Sequence, residues 1–559
     1  MSCQLPASQR AIQLVGPDQL RLCRGKPLSP PGPYQILCRV EAVGLCFSDL
    51  KLLKQFAGHA RKSEVVTGLP PEVLSGIPSY VPGDAPTVPG HEAVVRIWAV
   101  GGKVTGFAPG ERYLVQTDYR WLPTANSNAS FGYNFEGALQ EYVLVDQRVI
   151  TSPAGESMLI PASEDLSASA IALVEPWACV EDSYAAKERQ SLKPGGKMLV
   201  VAETGAPLDG LARMIEGRGR PGEITWLAPA PPEGLPGPLV RAERLEALPD
   251  AAFDDLVYLG ARPDTLEALF PKVAARGLLT IVLCGSRLGR PVAAAVGRVH
   301  YGGIRIAGTT GCEPGEAMAG IPASGEIREG ERVNVVGAGG PMGVMHVVRD
   351  ICLGVRGLAV FAGDLDEGRL ATLTTIAAPL AAKHGVDFQT YRPEEEALEE
   401  RPSYVVILAP VPALVATAVS QAAPRGIINV FAGIPAEVTA PIDLDAYIEK
   451  QLYFIGTSGS VLEDMRSVLS RVEAGTLDTN LSVAAVSGLE GAPEGMRAVE
   501  DREVHGKIIV YPACRGLGLT RLADLPARFP EVAHCLDQGL WTRRAEQALL
   551  AVFDAEPAG

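Results

Sequence analysis

The sequence predicts an α/β protein in which a β-rich domain precedes two tandem doubly wound units, the first of them degenerate. Three observations carry that reading. Residues 35–150 run as short alternating or β-branched segments (YQILCRVEAVGL, HEAVVRIWAVGG, ALQEYVLVD) broken by Gly and Pro, the texture of strands joined by irregular loops. After about residue 190, apolar runs (GGKMLVVAE, GEITWLA, FDDLVYLG, GLLTIVLCG) alternate with stretches long enough for helices, the βαβ pattern of a parallel sheet. That second texture then occurs twice.

The repeat is visible as ordered landmarks. GKMLVV from Gly196 is answered by GERVNVV from Gly330, ARGLLTIVLCG from Ala275 by PRGIINVFAGI from Pro424, and IAGTTG from Ile306 by FIGTSG from Phe454. These landmarks predict a first domain over 1–190, doubly wound units over 191–312 and 327–480, and a return to the first domain with a helical tail over 481–559. The Gly- and Pro-containing stretch CEPGEAMAGIPASGEIREG joins the two units.

Composition limits the partners. The chain has 559 residues, 47% hydrophobic and 21% charged, enough to bury several cores. With 50 Lys and Arg against 65 Asp and Glu, the formal net charge is -15, which opposes non-specific nucleic-acid binding. Ten cysteines show no close pairing, so free thiols in a reducing compartment are expected. The start of the sequence lacks a basic, then apolar, leader and no run is long enough to span a membrane, so a cytoplasmic location is expected.

In the second unit the strand RVNVVG runs into Gly337, Gly339, Gly340 and Gly343 and then into a helix-like stretch. A tight turn, a backbone close to a pyrophosphate and a helix N-terminus rich in free N–H groups make this a candidate dinucleotide loop of the Rossmann kind. The spacing is one residue longer than the usual fingerprint. Asp364 ends the next strand, LAVFAGD, where an acid accepts from ribose hydroxyls and repels a 2′-phosphate, so NAD(H) is expected. The first unit carries Glu203 and Asp209 where a constant-offset alignment puts Gly337 and Gly343, and this copy is expected to bind no dinucleotide.

Four further segments, VEAVGLCFSD, VPGHEAVVRIWAVGGKVTGFAPGERY, EGALQEYVLVD and LVEPWAC, resemble the zinc-dependent medium-chain dehydrogenases/reductases, the alcohol and sorbitol dehydrogenase superfamily. GAGGPMG, INVFAGIP, FIGTSGS and GLWTRRAEQALL show a looser likeness to its ketose-phosphate reductases, such as sorbose 1-phosphate reductase. The resemblance covers about 35–190 and 327–550 and implies a GroES-like catalytic domain. It also implies Zn²⁺ held by Cys46, His91 and Glu92, with Glu175 completing the shell directly or through the metal-bound water; this mixed S, N and O set suits an open catalytic zinc site. Ser48 matches the family's relay hydroxyl, and Lys51 stands where many relatives carry a relay histidine.

Two departures stand out. The gap from Cys46 to His91 is about twice the family's and holds KSEVVTGLPPEVLSGIPSYVPGD, and no cysteine falls between Cys46 and Cys179, so the family's second, structural zinc is not expected. Lys51, Lys54, Arg61 and Lys62 form a local basic run that reads either as a solvated loop or as a phosphate holder. The expected activity is hydride transfer between NAD(H) and the secondary alcohol or ketone of a polyol or sugar, phosphorylated or not. The alternatives are a zinc-free reductase of the same superfamily or a non-catalytic protein that kept the fold. The two doubly wound units are expected to form a pseudo-dimer within one chain, their sheets continuous, with further oligomerisation left open.

Overall fold

The computed structural model describes residues 5–232 and 234–554, so the ends of the first and last expected segments lie outside the described residues. The chain divides into two compact units, residues 1–178 with 460–559 and residues 179–459.

In the first unit, strand Gln35–Gly44 is the hub, pairing antiparallel with Glu92–Val100, Tyr142–Asp146 and Lys507–Val510. The sheet continues through Arg112–Val115 to Leu159–Pro161 on one side, and through Val483–Ser487 to Thr520–Arg521 on the other. Ile36, Cys38 and Val40 of the hub are buried in the same core as Ile97, Val143 and Ile508. The segment after His59 is folded too: Val66, Leu74 and Ile77 join this core. The chain returns to this unit at Ser460, earlier than the expected 481, because helix Leu462–Glu473 already belongs here. Its periodicity marks an apolar face (Met465, Val468, Leu469, Val472) without saying what that face packs against.

The second unit contains two six-stranded sheets of one design. The first runs Leu239–Arg241, Glu223–Leu227, Lys197–Ala202, Phe253–Leu259, Val273–Val282, Arg305–Thr309. The second runs Asp387–Tyr391, Ala359–Gly363, Arg332–Val336, Tyr404–Ile407, Ile427–Val430, Tyr453–Ile455. Every neighbouring pair is parallel, and the order is that of the doubly wound dinucleotide fold in both.

The two sheets are not continuous. Their outer strands, Arg305–Thr309 and Tyr453–Ile455, lie alongside each other without a shared ladder among the described residues. Side chains take the ladder's place. The Tyr447 hydroxyl donates to Ile306 O at 2.8 Å and accepts from Phe454 N–H at 3.0 Å, bridging the strand groups that would otherwise be unpaired. Arg305 donates to Gly456 O at 3.1 Å and is held by Glu188, which also accepts from the Tyr453 hydroxyl at 2.8 Å. A short antiparallel ladder, Val292–Ala294 with Ala440–Ile442, closes the joint. One apolar core runs through both halves, from Leu256 and Ile281 to Ile407 and Phe454.

Candidate functional site

Cys46 sits at the N-cap of helix Phe47–Gln55, which follows directly from the hub strand. Its sulfur accepts from Ser48 N–H at 3.5 Å, and Asp49 reaches back to accept from Cys46 N–H at 3.1 Å, a capping box that fixes the cysteine. The same Asp49, 1% exposed, accepts from Gly90 N–H at 3.3 Å and faces His91 Nδ1 at 3.1 Å. A carboxylate behind the imidazole orients the ring, as metal-binding histidines require. Burial opposes charge on His91, but Asp49, Tyr133 and Cys46 outweigh it and hold the pKa well above the usual value.

Glu92 lies opposite Gly44 in the antiparallel ladder. A Cβ at Gly44 would fall 2.1 Å from Glu92 Oε2, so only glycine leaves room for this carboxylate. Glu92 is fully buried; Oε1 pairs with Lys507 Nζ at 2.5 Å, and Oε2 has no hydrogen-bond partner. One donor atom each from Cys46, His91 and Glu92 lies within 4.8 Å of the others, the one such group among the described residues. A thiol, an imidazole and a buried carboxylate with an unsatisfied oxygen fit Zn²⁺.

Glu175, in helix Val174–Ala185, is buried outside this trio. Burial pushes its pKa up to about 7, with Glu92 and Asp118 adding to the rise and His91 and Lys507 opposing it. Ser48 is half-buried and Lys51 exposed, three residues apart on the helix that Cys46 caps.

The basic run does not form a cluster. Lys62 is fully buried, with its ammonium donating to the carbonyls of Val81, Gly83 at 2.9 Å and Ala85 at 2.7 Å, and so clips the inserted segment in place. Lys54 pairs with Glu500. Arg61 pairs with Asp118 at 3.0 Å and lies over the Tyr133 ring, which also packs against both His59 and His91. Burial first, then the charges of Arg61 and Lys51, push His59 down to about 4.

Asp49, Tyr133, Lys507 and Glu546 carry roles that sequence reasoning missed. Asp49 was within reach, since it stands inside the motif that supplies Cys46. Lys507 and Glu546 gave no local signal. Glu546, on helix Arg543–Asp554, accepts from Ala168 N–H at 2.6 Å, Ser169 N–H at 2.8 Å and the Tyr511 hydroxyl at 2.8 Å. It thereby caps helix Ala168–Ala172, which leads into the helix bearing Glu175.

In the second repeat, strand Arg332–Val336 ends at Gly337, whose φ of 88° makes the tight turn. Helix Pro341–Cys352 starts after Gly340 and contains Gly343, where a Cβ would meet Ala338 O at 2.4 Å and Gly337 O at 2.5 Å. Asp364 follows strand Ala359–Gly363 and accepts from Gly339 N–H at 2.9 Å and Asp366 N–H at 3.1 Å, tying the glycine turn to the acid.

The first repeat is closed at the same place. Glu203 follows strand Lys197–Ala202 and accepts from the Tyr258 hydroxyl; its side chain lies over Gly260, where a Cβ would fall 2.5 Å from Glu203 Cδ. Asp209 does not stand at the counterpart of Gly343. It precedes helix Gly210–Arg218, whereas Gly343 is inside its helix, because the first loop is longer and a constant offset cannot follow it.

Residues 32–154 match the alcohol dehydrogenase GroES-like domain family. The mannitol-1-phosphate 5-dehydrogenase of Aliivibrio fischeri is 27% identical over 248 residues, 41% of this chain and 58% of that protein. The L-sorbose 1-phosphate reductase of Klebsiella pneumoniae is 31% identical over 153 residues, 26% and 36% of the two chains. The chain therefore spans less than two thirds of these relatives' length. The 2R,3R-butanediol dehydrogenase of Bacillus subtilis shares the fold at a TM-score of 0.53, with 14% identity over 90% of this chain and 100% of that one. Over these parts of its length the chain is similar to alcohol, sorbitol and sugar-phosphate dehydrogenases, a likeness that supports the medium-chain dehydrogenase/reductase superfamily. No described helix is long and apolar enough to cross a membrane.

Proposed function

We propose that this protein is a zinc-dependent oxidoreductase that moves a hydride between NAD(H) and a secondary alcohol or ketone of a polyol or sugar. The observation that carries the reading is the buried meeting of Cys46, His91 and Glu92 within 4.8 Å. Zinc held by these residues would supply Lewis-acid polarisation of the reacting C–O group, and the nicotinamide would accept or donate the hydride.

The chain's own residues do the rest. Asp49 holds the His91 ring in one orientation. The Ser48 hydroxyl passes the substrate proton outward, and Lys51 continues the relay on the next turn of the same helix. Glu175 would complete the shell of a bound zinc, directly or through a water. Tyr133, beside His91 and flanked by a neutral His59 and by Arg61, forms one wall of the substrate space, and the Arg61 guanidinium, shared with Asp118, is the cation there that suits an anionic group such as a sugar phosphate. Gly337, Gly339, Gly340 and Gly343 cradle the dinucleotide phosphates and Asp364 receives the ribose. The first repeat stands where a partner subunit's coenzyme domain would, a pseudo-dimer supported by the shared strand order and the Tyr447 and Arg305 bridges.

One observation favours a second reading, a zinc-free reductase: Lys507 already neutralises Glu92 at 2.5 Å. Metal analysis of the purified protein, with a screen of polyols and sugar phosphates followed by NADH absorbance with and without chelator, separates the two. The zinc reading expects close to one zinc per chain, and expects His91→Ala to lose both the metal and at least about 100-fold in activity. Full activity in metal-free protein would establish the second reading instead.

A further inference from the structure

Cys284 and Cys312 belong to neither candidate site, and both lie at the strand ends of the first repeat. Strands Val273–Val282 and Arg305–Thr309 pair in parallel with Val282 opposite Thr309. The pairing runs on past both strands: Leu283 N–H donates to Thr309 O at 3.0 Å, Gly285 N–H to Thr310 O at 2.8 Å and Cys284 N–H to Gly311 O at 3.0 Å. Those bonds hold the segment bearing Cys284 against the one that ends in Cys312. The chain turns sharply there, with Cys284 in the left-handed region at φ 51°.

The Cys312 thiol lies within hydrogen-bonding reach of the Cys284 thiol, and burial together with that neighbour pushes Cys284 up to about 11. Both are free thiols, Cys312 exposed and Cys284 half-buried. Cys38 and Cys514 are buried, and Cys46 belongs to the candidate metal site.

We propose that Cys284 and Cys312 form a redox-sensitive dithiol that closes to a disulfide when the protein meets a low-molecular-weight disulfide such as oxidised glutathione. Cys312, which solvent reaches, loses its proton and attacks one sulfur of the oxidant, forming a mixed disulfide and expelling one glutathione thiolate. Cys284 then releases its proton, attacks the Cys312 sulfur and expels the second thiolate. Two protein thiols lose two electrons and two protons, and one small disulfide becomes two thiols. The new bond staples the end of strand Val273–Val282 to the start of the segment that leads into the second repeat. A reductant such as dithiothreitol reverses it.

The test uses the full chain in its native state. It is treated with oxidised glutathione, its remaining thiols are alkylated, and it is digested with trypsin without reduction. The expected product is peptide Gly277–Arg287 joined to peptide Ile306–Arg328, absent after dithiothreitol. In Cys284→Ser the resolving thiol is gone, so Cys312 should accumulate as its glutathione mixed disulfide; in Cys312→Ser, Cys284 should stay alkylatable. Recovery of both peptides in alkylated form, or a Cys284→Ser chain whose Cys312 is untouched by glutathione, would overturn the proposal. The variants' own folding is checked by their circular dichroism, and the wild-type cross-link is read independently of them.

Discussion

The two doubly wound repeats share one strand order and differ at the turn that follows the first strand. In the second repeat Gly337 turns the chain, Gly339 lies against Asp364, and Gly343 lets the helix start close to the strand. In the first, Glu203 fills the turn, Tyr258 holds it there, and the residue after strand Glu223–Leu227 is Ala228 where the second repeat has an acid. Buried apolar strands thus keep a doubly wound sheet intact whatever the loop does, while ligand chemistry depends on a few loop residues.

The largest effect on coenzyme binding that would test this contrast comes from filling the second turn. Gly343→Val drives a side chain against two backbone carbonyls that cannot swing aside, Ala338 O at 2.4 Å and Gly337 O at 2.5 Å. NADH affinity should fall at least about 100-fold, with a stability loss of about 1–3 kcal/mol from overpacking. In the first repeat Gly205→Ala meets nothing within 4 Å and strains only the backbone, so about 1 kcal/mol should be lost with NADH affinity unchanged. Fluorescence titration of NADH against both variants reads the difference, and equal losses would break the comparison.

The helices after the two turns differ as well. Helix Gly210–Arg218 buries Leu211, Met214 and Ile215, whereas helix Pro341–Cys352 buries His346, Arg349 and Asp350. Burial pushes Asp350 from 3.8 up to about 7, against the pull of Arg349 and the Tyr184 hydroxyl, with Glu326 adding to the rise. The folded state therefore keeps a proton that the unfolded chain releases. The stability this confers is complete below about pH 4 and is lost as pH rises through about 7. Urea unfolding should show Asp350→Asn removing on the order of 4 kcal/mol of pH dependence between those limits. A slope unaffected by the substitution would show that the network, not this carboxyl, carries the effect.

Much of this contrast was legible in the sequence because it rests on local signals. Strand texture exposed the repeat, and Gly337 and Glu203 each follow a strand that ends where the pattern says. Cys46, His91 and Glu92 were legible through motifs. What stayed hidden depends on long-range pairing or on loop length. Lys507 reaches Glu92 only because strand Lys507–Val510 pairs with the hub beside Gly44. Asp209 was misaligned because extra loop residues shift the helix start. Lys62 looked like a member of a basic surface, yet its ammonium satisfies carbonyls in a segment with no pattern of its own. The continuous sheet failed for a similar reason: sequence marks edge strands, but not the Tyr447 hydroxyl that stands between them.

A smaller effect is expected at the strand end that distinguishes the repeats. Asp364→Ala removes the acceptor for Gly339 and Asp366 N–H groups and the charge that would repel a 2′-phosphate. The preference for NADH over NADPH should narrow by roughly tenfold, worth about 1.4 kcal/mol, read as the ratio of the two dissociation constants. An unmodified chain that binds NADPH more tightly would show that Asp364 does not face the ribose.

The smallest effect should come from emptying the closed turn. Glu203→Ala removes the acceptor for the Tyr258 hydroxyl and clears the space over Gly260. Losing one hydrogen bond to a charged group costs about 1.5–3 kcal/mol when its partner is stranded, but this hydroxyl also donates toward Arg262 O at 3.5 Å and accepts from Arg262 N–H at 2.8 Å, so about 1 kcal/mol is expected. No second coenzyme should bind. Asp209 still stands before the helix, where its charge opposes a pyrophosphate, and Ala228 offers nothing to a ribose. Isothermal titration should therefore give one NADH per chain in both the variant and the wild type. A second equivalent appearing in the variant would show that Glu203 alone closes the first repeat, and that its longer loop and missing acid are no obstacle.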